Sequence, residues 1–549
     1  MAAGMSSDEG PRVVYGSPDK RYRQDDIPAG GDTVWNVTGW KGDKVQTQVL
    51  IWSKDVLRDV RLVAGPLRGS AGGVIPAAGV HYGFVRYVLT DGLNKDGGGC
   101  GLAASVQADS SLVADRIDRE VKTTIAAGRQ QPVWLSIEVP RGIAAGLYRG
   151  SIRVIGQGFR RTLYYRVKVQ DHVLPAPADW VYHLDLWQNP YSIARVHGVE
   201  PWSEAHFRAM RPYMKMLADA GQKTITVSMI HDPWRGQTYD IYGSMIKWVK
   251  KANGKWSYDY TIFDKWVQFM MDQGIDGLIN CYTMVAWNNK YYYYDAASGK
   301  DSSLTAAPGG PEYNSHWRSM LSDFRAHLRK KGWYGKTSIA MDERALEDMK
   351  RVIALVKSVD TSFKISLAGS YHKEIEKDIY DYSVTSAEAF DMDVLAERLQ
   401  KHWPTTYYTC CVEGRPNTFT FSPPAEAEWL GWYTAAKTFN GYLRWAYNCW
   451  PAKPFEDSRF GSWSAGDTYL VYPGAETSIR FERLVQGIRV YEKIRILEAL
   501  FSRTGQQDKL QRLQDLLRGF DIQRLSTESA ASQLIHARSV FEQLAEESR

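Results

Sequence analysis

The sequence predicts a multidomain β plus α/β protein: an N-terminal antiparallel β-sandwich, a (β/α)8 TIM-like barrel and a helical C-terminal tail. Three observations predict it. The first 170 or so residues alternate apolar and polar side chains with period two. The next 300 or so interleave eight short apolar runs with amphipathic helix patterns. The 549 residues also exceed what one hydrophobic core usually supports.

In the sandwich region "VQTQVLIW" puts Val45, Thr47, Val49 and Ile51 on one face. "VWLSIEVP" does so with Val133, Leu135, Ile137 and Val139, and "TLYYRVKVQ" with Leu163, Tyr165, Val167 and Val169. Such alternation between Gly-rich breaks is the pattern of antiparallel strands with one buried face. "DHVLPAPADW" then sets Pro175 and Pro177 two apart, a stiff connector that cannot continue a central strand. The expected domains are therefore a sandwich over residues 1–173, a barrel over 174–500 and a helical extension over 501–549.

The eight candidate barrel strands are "VYHLDLW", "KTITVSMI", "DGLINCYTM", "TSIAM", "KISLAG", "DYSVTS", "TTYYTC" and "GYLRWAYN". Between them Phe207, Met210, Met214 and Leu217 share a helical face after a Ser203 cap, with Pro212 expected to kink the helix. Phe263, Trp266 and Met270 share another, as do Trp317, Leu321, Phe324 and Leu328 before Gly332, and Leu346, Met349, Ile353 and Val356. A doubly wound open sheet is the rival architecture. Asn253-Gly254 marks an inserted hairpin, and "KYYYYD" is read first as structural, with a loop rim that meets an aglycone as the weaker alternative.

Composition narrows the function. No apolar run is long enough to cross a bilayer, which argues against membrane insertion. The net charge of +6 is small and dispersed, so nucleic acid is not an expected partner. Five scattered cysteines without C-x-x-C spacing suggest neither a zinc site nor a disulfide framework, and mostly buried thiols are expected. The opening "MAAGMSSDEG" has neither the basic nor the apolar region of a secretory signal, which leaves a cytosolic protein or one whose signal has been removed. The 20 Trp, 32 Tyr and 17 Phe point toward carbohydrate, because half-exposed rings stack on sugar C–H faces.

The chemistry concentrates at "TSIAMDER". Asp342 and Glu343 follow a candidate barrel strand and precede a helix, so both belong to the carboxyl-end face where barrel enzymes build their sites. Acids decorating a helix N-terminus are the structural alternative. Adjacent carboxylates cannot easily flank a sugar ring as in ordinary retaining hydrolysis. They suit a substrate-assisted variant, in which a 2-acetamido oxygen is the nucleophile, one acid protonates the leaving oxygen and its neighbour holds the acetamide N–H. Like charges side by side would also raise one pKa and keep a proton donor loaded.

"SIAMDER", "GYLRWAYNCWPAKPFEDSRFGSWSAGDTYLVYPG" and "SIRFERLVQGIRVYEKIRIL" resemble glycoside hydrolase family 123, the retaining β-N-acetylgalactosaminidases. The resemblance implies an oxazolinium intermediate, no metal or cofactor, a glycan or glycolipid substrate ending in GalNAc, and a periplasmic or secreted location. It makes Glu343 the general acid and base and Asp342 the residue that orients the acetamide. Weaker candidates for the sugar site are Asp185 with Trp187, Trp445, Tyr447 and Asn448 of the last strand, and Trp463 with Asp467. Tyr282 and Tyr371 are candidates for the acetamide oxygen. The same machinery acting on β-linked GlcNAc, and a carbohydrate-binding protein without activity, remain open at this stage.

Overall fold

The alternating apolar positions of the first third become the inner faces of two sheets. Val49, Ile51, Val133, Leu135, Ile137, Leu163, Tyr165 and Val167 are buried in one shared core. One sheet orders the strands Arg12–Gly16, Lys44–Trp52, Gln130–Glu138, Val80–Thr90, Ser111–Ile117 and Thr477–Ser478. The other runs Val34–Lys41, Phe159–Val173, Gly146–Gly156, Leu57–Ala64 and Thr123–Ile125. Pairing is antiparallel except between Val34–Lys41 and Phe159–Val173, which run parallel. The structure is a computed structural model and describes residues 10–70, 72–91, 111–461 and 463–548.

The chain divides into two compact units, and neither is continuous. The first holds residues 1–176, 414–436 and 453–549, and the second holds 177–413 and 437–452. The expected barrel segment 174–500 and tail 501–549 are thus divided differently. The helices Pro424–Ala436 and Ile479–Arg503 both fall in the first unit. Both are buried nearly all round, which no single amphipathic stripe would produce. They touch backbone to backbone: a Cβ added to Gly431 would lie 2.1 Å from the Gly487 carbonyl oxygen. Arg480, 1% exposed, ties this unit together. Its Nε donates to both Asp115 oxygens at 3.0 Å, and its Nη1 to the carbonyls of Thr418, Gly466 and Tyr469 at 2.7–2.9 Å. The last helix, Ala530–Glu547, is also part of this core. Its Arg538 pairs with Asp19 at 2.7 Å and Glu428 at 2.8 Å, and Gln533 accepts from Trp429 Nε1 at 2.9 Å.

The second unit contains the barrel. Among the described residues its strands are β1 (His183–Leu186), β2 (Thr224–Ser228), β3 (Leu278–Tyr282), β4 (Thr337–Met341), β5 (Lys364–Ala368), β6 (Asp381–Thr385), β7 (Thr405–Tyr408) and β8 (Gly441–Arg444). All eight strand candidates are found. They pair in parallel in the order β1-β8-β7-β6-β5-β4-β3-β2. A Leu184–Gln222 bridge and a 3.0 Å bond from Lys223 N to Leu184 O nearly close the ring.

The helices of this unit are α1 (Pro190–His197), α2 (Glu204–Ala218), α3 (Thr261–Asp272), α4 (Pro311–Lys331), α5 (Leu346–Val359) and α6 (Met392–Gln400). Ser203 Oγ caps α2 by accepting from His206 N at 3.2 Å, and the helix runs on through Pro212. Gly332, at φ 73°, ends α4 in the left-handed conformation that suits glycine. Asn253-Gly254 does turn a hairpin, between Lys247–Lys250 and Trp256–Asp259. The "KYYYYD" segment is structural, a strand, Lys290–Asp295, of the same small sheet.

Candidate active site

At the carboxyl ends of the barrel strands the inward positions turn aromatic or small. Trp187 after β1, Tyr282 at the end of β3, Ala340 of β4, Ala368 of β5, Tyr408 of β7 and Leu443 of β8 belong to one buried cluster with Trp234, Tyr242, Ala446 and Cys449. Trp187 stacks on Trp234 with ring centres 5.1 Å apart and lies 4.4 Å from the Tyr282 ring. Asp342 and Glu343 follow β4 at this same end.

The two acids have different surroundings. Asp342 is 6% exposed and accepts from Trp287 Nε1 at 2.9 Å. Arg344 Nη2 reaches its two oxygens at 3.0 and 3.2 Å. Burial pushes the Asp342 carboxyl up to about 6, against the pull of Arg344 and with a push from Glu343. Glu343 is exposed and accepts from Tyr408 Oη at 2.5 Å. The sequence argument expected like-charge repulsion to raise one of the pair. One is raised, Asp342, but loss of water is the larger cause.

Trp287, Arg344 and Tyr408 were not singled out in the sequence. Tyr408 ends a strand candidate just as Tyr282 does, and Arg344 stands inside the quoted "DER", so both positions carried a signal. Trp287 sits in the loop after β3, where no periodicity marks it.

Asp185 lies inside the barrel, 1% exposed. Asn280 Nδ2 bridges it, at 3.5 Å, to Asp381, at 3.0 Å, and His183 Nε2 is 3.7 Å from Asp381. Burial and the nearby Asp381 push Asp185 up to about 7. Tyr447 and Asn448 are not on a strand, because β8 stops at Arg444. Tyr447 Oη donates to the Tyr213 carbonyl of α2 at 3.0 Å. Both ends of the Asn448 amide are used on the Asn189 backbone, at 2.8 and 2.9 Å. These two brace α1 and α2. Trp445, half-buried, packs against the aromatic cluster. Tyr371 packs on Phe390 and Tyr382, with ring centres 5.0 and 6.1 Å away, outside the cluster that holds Tyr282.

Trp463 and Asp467 belong to the first unit. Trp463 bridges Phe460, and Asp467 is fully buried with its N–H on the Ser464 carbonyl at 2.9 Å. Among the described cysteines Cys281 and Cys449 are free thiols, but Cys411 is disulfide-bonded, which scattered spacing did not suggest; Cys100 lies outside the described residues. Among the described residues no helix is long and apolar enough to cross a membrane.

Comparison with known proteins identifies the fold and the family. The model of the glycoside hydrolase 123 catalytic domain matches residues 187–497, and that of the glycoside hydrolase 123 N-terminal domain matches residues 15–156. A family 123 glycoside hydrolase from Clostridium perfringens, studied for glycolipid glycan hydrolysis, superposes with a TM-score of 0.89 at 26% identity over 98% of both chains. A β-glucuronidase from Bacteroides uniformis gives a TM-score of 0.31 at 9% identity, covering 88% of this chain and 51% of that one. One from Parabacteroides merdae gives 0.30 at 9%, covering 87% and 52%. These two likenesses are too distant to bear on function. No curated protein matches. Family models spanning sandwich and barrel, and a fold shared end to end with a family enzyme, lead to one conclusion: the chain belongs to glycoside hydrolase family 123.

Proposed function

We propose that this glycosidase is an exo-acting, retaining β-N-acetylgalactosaminidase that works by substrate assistance. The observation that carries the reading is the asymmetry of the adjacent acids. Asp342 is buried, its Oδ2 accepting from Trp287 and Arg344 and its Oδ1 ion-paired with Arg344 at 3.0 Å, while Glu343 is open to solvent and touched by Tyr408. A held carboxylate can accept the acetamide N–H and steer the acetamide oxygen to C1. An exposed acid can reach the glycosidic oxygen.

In the first step the acetamide oxygen forms a bond to C1, the C1–O glycosidic bond breaks, and the Glu343 proton goes to the leaving oxygen. The cation left on the oxazolinium ring lies where Asp342 can neutralise it through the N–H. In the second step Glu343 takes a proton from water, whose oxygen attacks C1 and opens the ring with retention. Trp187, Trp445 and Tyr282 are proposed to shape the sugar pocket. A glycolipid glycan is the favoured substrate class because the Clostridium perfringens relative was studied on such glycans. The disulfide at Cys411 favours an oxidising location, periplasmic or secreted.

Matched aryl β-glycosides of GalNAc, GlcNAc and galactose test the reading. The GalNAc glycoside should be cleaved fastest and the 2-hydroxy galactoside barely, and a thiazoline mimic of the cyclised sugar should inhibit. Glu343→Gln should lower kcat by about 100-fold or more. Equal cleavage of the galactoside would point to an enzymic nucleophile, and undiminished turnover by Glu343→Gln would remove the mechanism.

A further inference from the structure

Arg344 makes contacts that neither acid explains by itself. Its Nη2 lies 3.0 and 3.2 Å from the two Asp342 oxygens. Its Nε donates to the Val285 carbonyl at 3.1 Å, and its Cζ stands 4.1 Å from the centre of the Trp287 ring. The same indole donates its own N–H to Asp342 at 2.9 Å. The two side chains therefore converge on one carboxylate and also on each other.

Their support is built in. The loop after β3 that carries Trp287 is pinned at the Met284 carbonyl by the hydroxyls of Tyr291, at 2.9 Å, and Tyr313 of α4, at 2.7 Å. Trp287 N donates to the Pro233 carbonyl at 3.4 Å. Trp287 as a residue is 38% exposed, whereas the Arg344 side chain is only 10% exposed. Water thus competes weakly for the guanidinium, and a cation held over an indole in such surroundings is worth more than one at the surface. Arginine suits the place because its planar fork can serve two acceptors at fixed angles, and lysine's point charge cannot.

We propose that Arg344, seated on Trp287, is the positioning residue of Asp342: it sets the plane of that carboxylate and keeps it charged, so that it can accept an N–H from the bound sugar. The inference rests on the role given to Asp342 above. The charged and titratable groups acting on Asp342 are Arg344 and Glu343 beside it, with Tyr282 at the end of β3. Tyr291 faces Arg344 in turn. Arg344 is the positive member of this set, so its removal should make Asp342 harder to ionise, and the acid limb of the pH profile should move to higher pH.

The experiment compares wild type, Arg344→Gln, Arg344→Lys and Trp287→Phe. It measures kcat/KM against pH with whichever aryl β-glycoside of GalNAc, GlcNAc or galactose the wild type cleaves, and a melting curve confirms folding. Arg344→Gln should shift the acid limb upward by about one pH unit or more and lower kcat/KM at pH 6 by about fivefold or more. Arg344→Lys should return the limb to near its wild-type position while kcat stays low, separating charge from geometry. Trp287→Phe keeps a ring under Arg344 but loses the N–H, and should lower kcat with a smaller displacement of the limb.

An unmoved limb in Arg344→Gln, or a limb displaced as far in Arg344→Lys, overturns the proposal. Preferential cleavage of the galactoside would sink the acetamide mechanism while the limb could still be read. Absence of turnover on all three glycosides would overturn both.

Discussion

A carboxylate removed from water and tied to a guanidinium is poised between two charge states, and Asp342 is such a group. With its carboxyl pushed up to about 6, it loses its charge as the pH falls through that value. If the ionised form accepts the acetamide N–H, kcat/KM should decline on the acid side with an apparent pKa of about 6, well above an ordinary aspartate. A profile flat down to pH 4.5 would show that the ionisation of Asp342 does not matter to turnover. At this scale the sequence was half legible. Asp342 and Glu343 stood out because a strand pattern ended at them and a helix pattern followed. Trp287, Arg344 and Tyr408 did not, since their part comes from hydrogen bonds across the barrel mouth that no local spacing encodes. For Asp185 the sequence was again half legible: alternation places it on the inner face but does not say how deep.

Among the elements, the barrel strands were readable because parallel strands covered on both faces appear as short apolar runs, and the helices because their buried stripes carry caps and stops. The end of β8 was not readable. The run "WAYNCW" looks like strand, but the chain bends after Arg444, the alternation of faces ends there, and Tyr447 and Asn448 turn to α2 and α1. Asn448→Ala should therefore act on stability: it strips partners from the N–H and C=O of Asn189, whose side chain caps α1. A loss of about 2 kcal/mol is expected in denaturant unfolding. The helices Pro424–Ala436 and Ile479–Arg503 set a second test. Gly431→Ala forces a methyl group into the Gly487 backbone, and at least about 2 kcal/mol should be lost, because backbone cannot step aside as a side chain can. Unchanged stability in either variant would contradict the contact it removes.

For the molecule as a whole, the buried Asp185 links folding to pH. Its carboxyl is raised to about 7, whereas in the unfolded chain it is an ordinary aspartate near 3.8. Between those values the folded state keeps a proton that the unfolded state releases. Its contribution to stability is thus complete below about pH 4 and is lost as pH rises through about 7. Asp185→Asn should flatten that decline, so variant and wild type should draw apart in melting temperature toward pH 8, with the variant the more stable. The C-terminal helices make another prediction. Deleting residues 504–549 would take Arg538 from Asp19 and Glu428 and uncover Trp429, so the shortened protein should be insoluble or lose cooperative unfolding. Sequence reading treated that stretch as a tail because linear boundaries assume that each domain is one piece of chain.

The path of the chain has one more consequence. The polypeptide passes between the two units four times, and the link from β7 to β8 runs through a helix that belongs to the other unit. Neither unit can be excised as a cassette by a single cut, nor exchanged for a relative's by simple splicing. New substrate preferences in this protein would have to arise in place, through the loops at the barrel rim, rather than by shuffling modules.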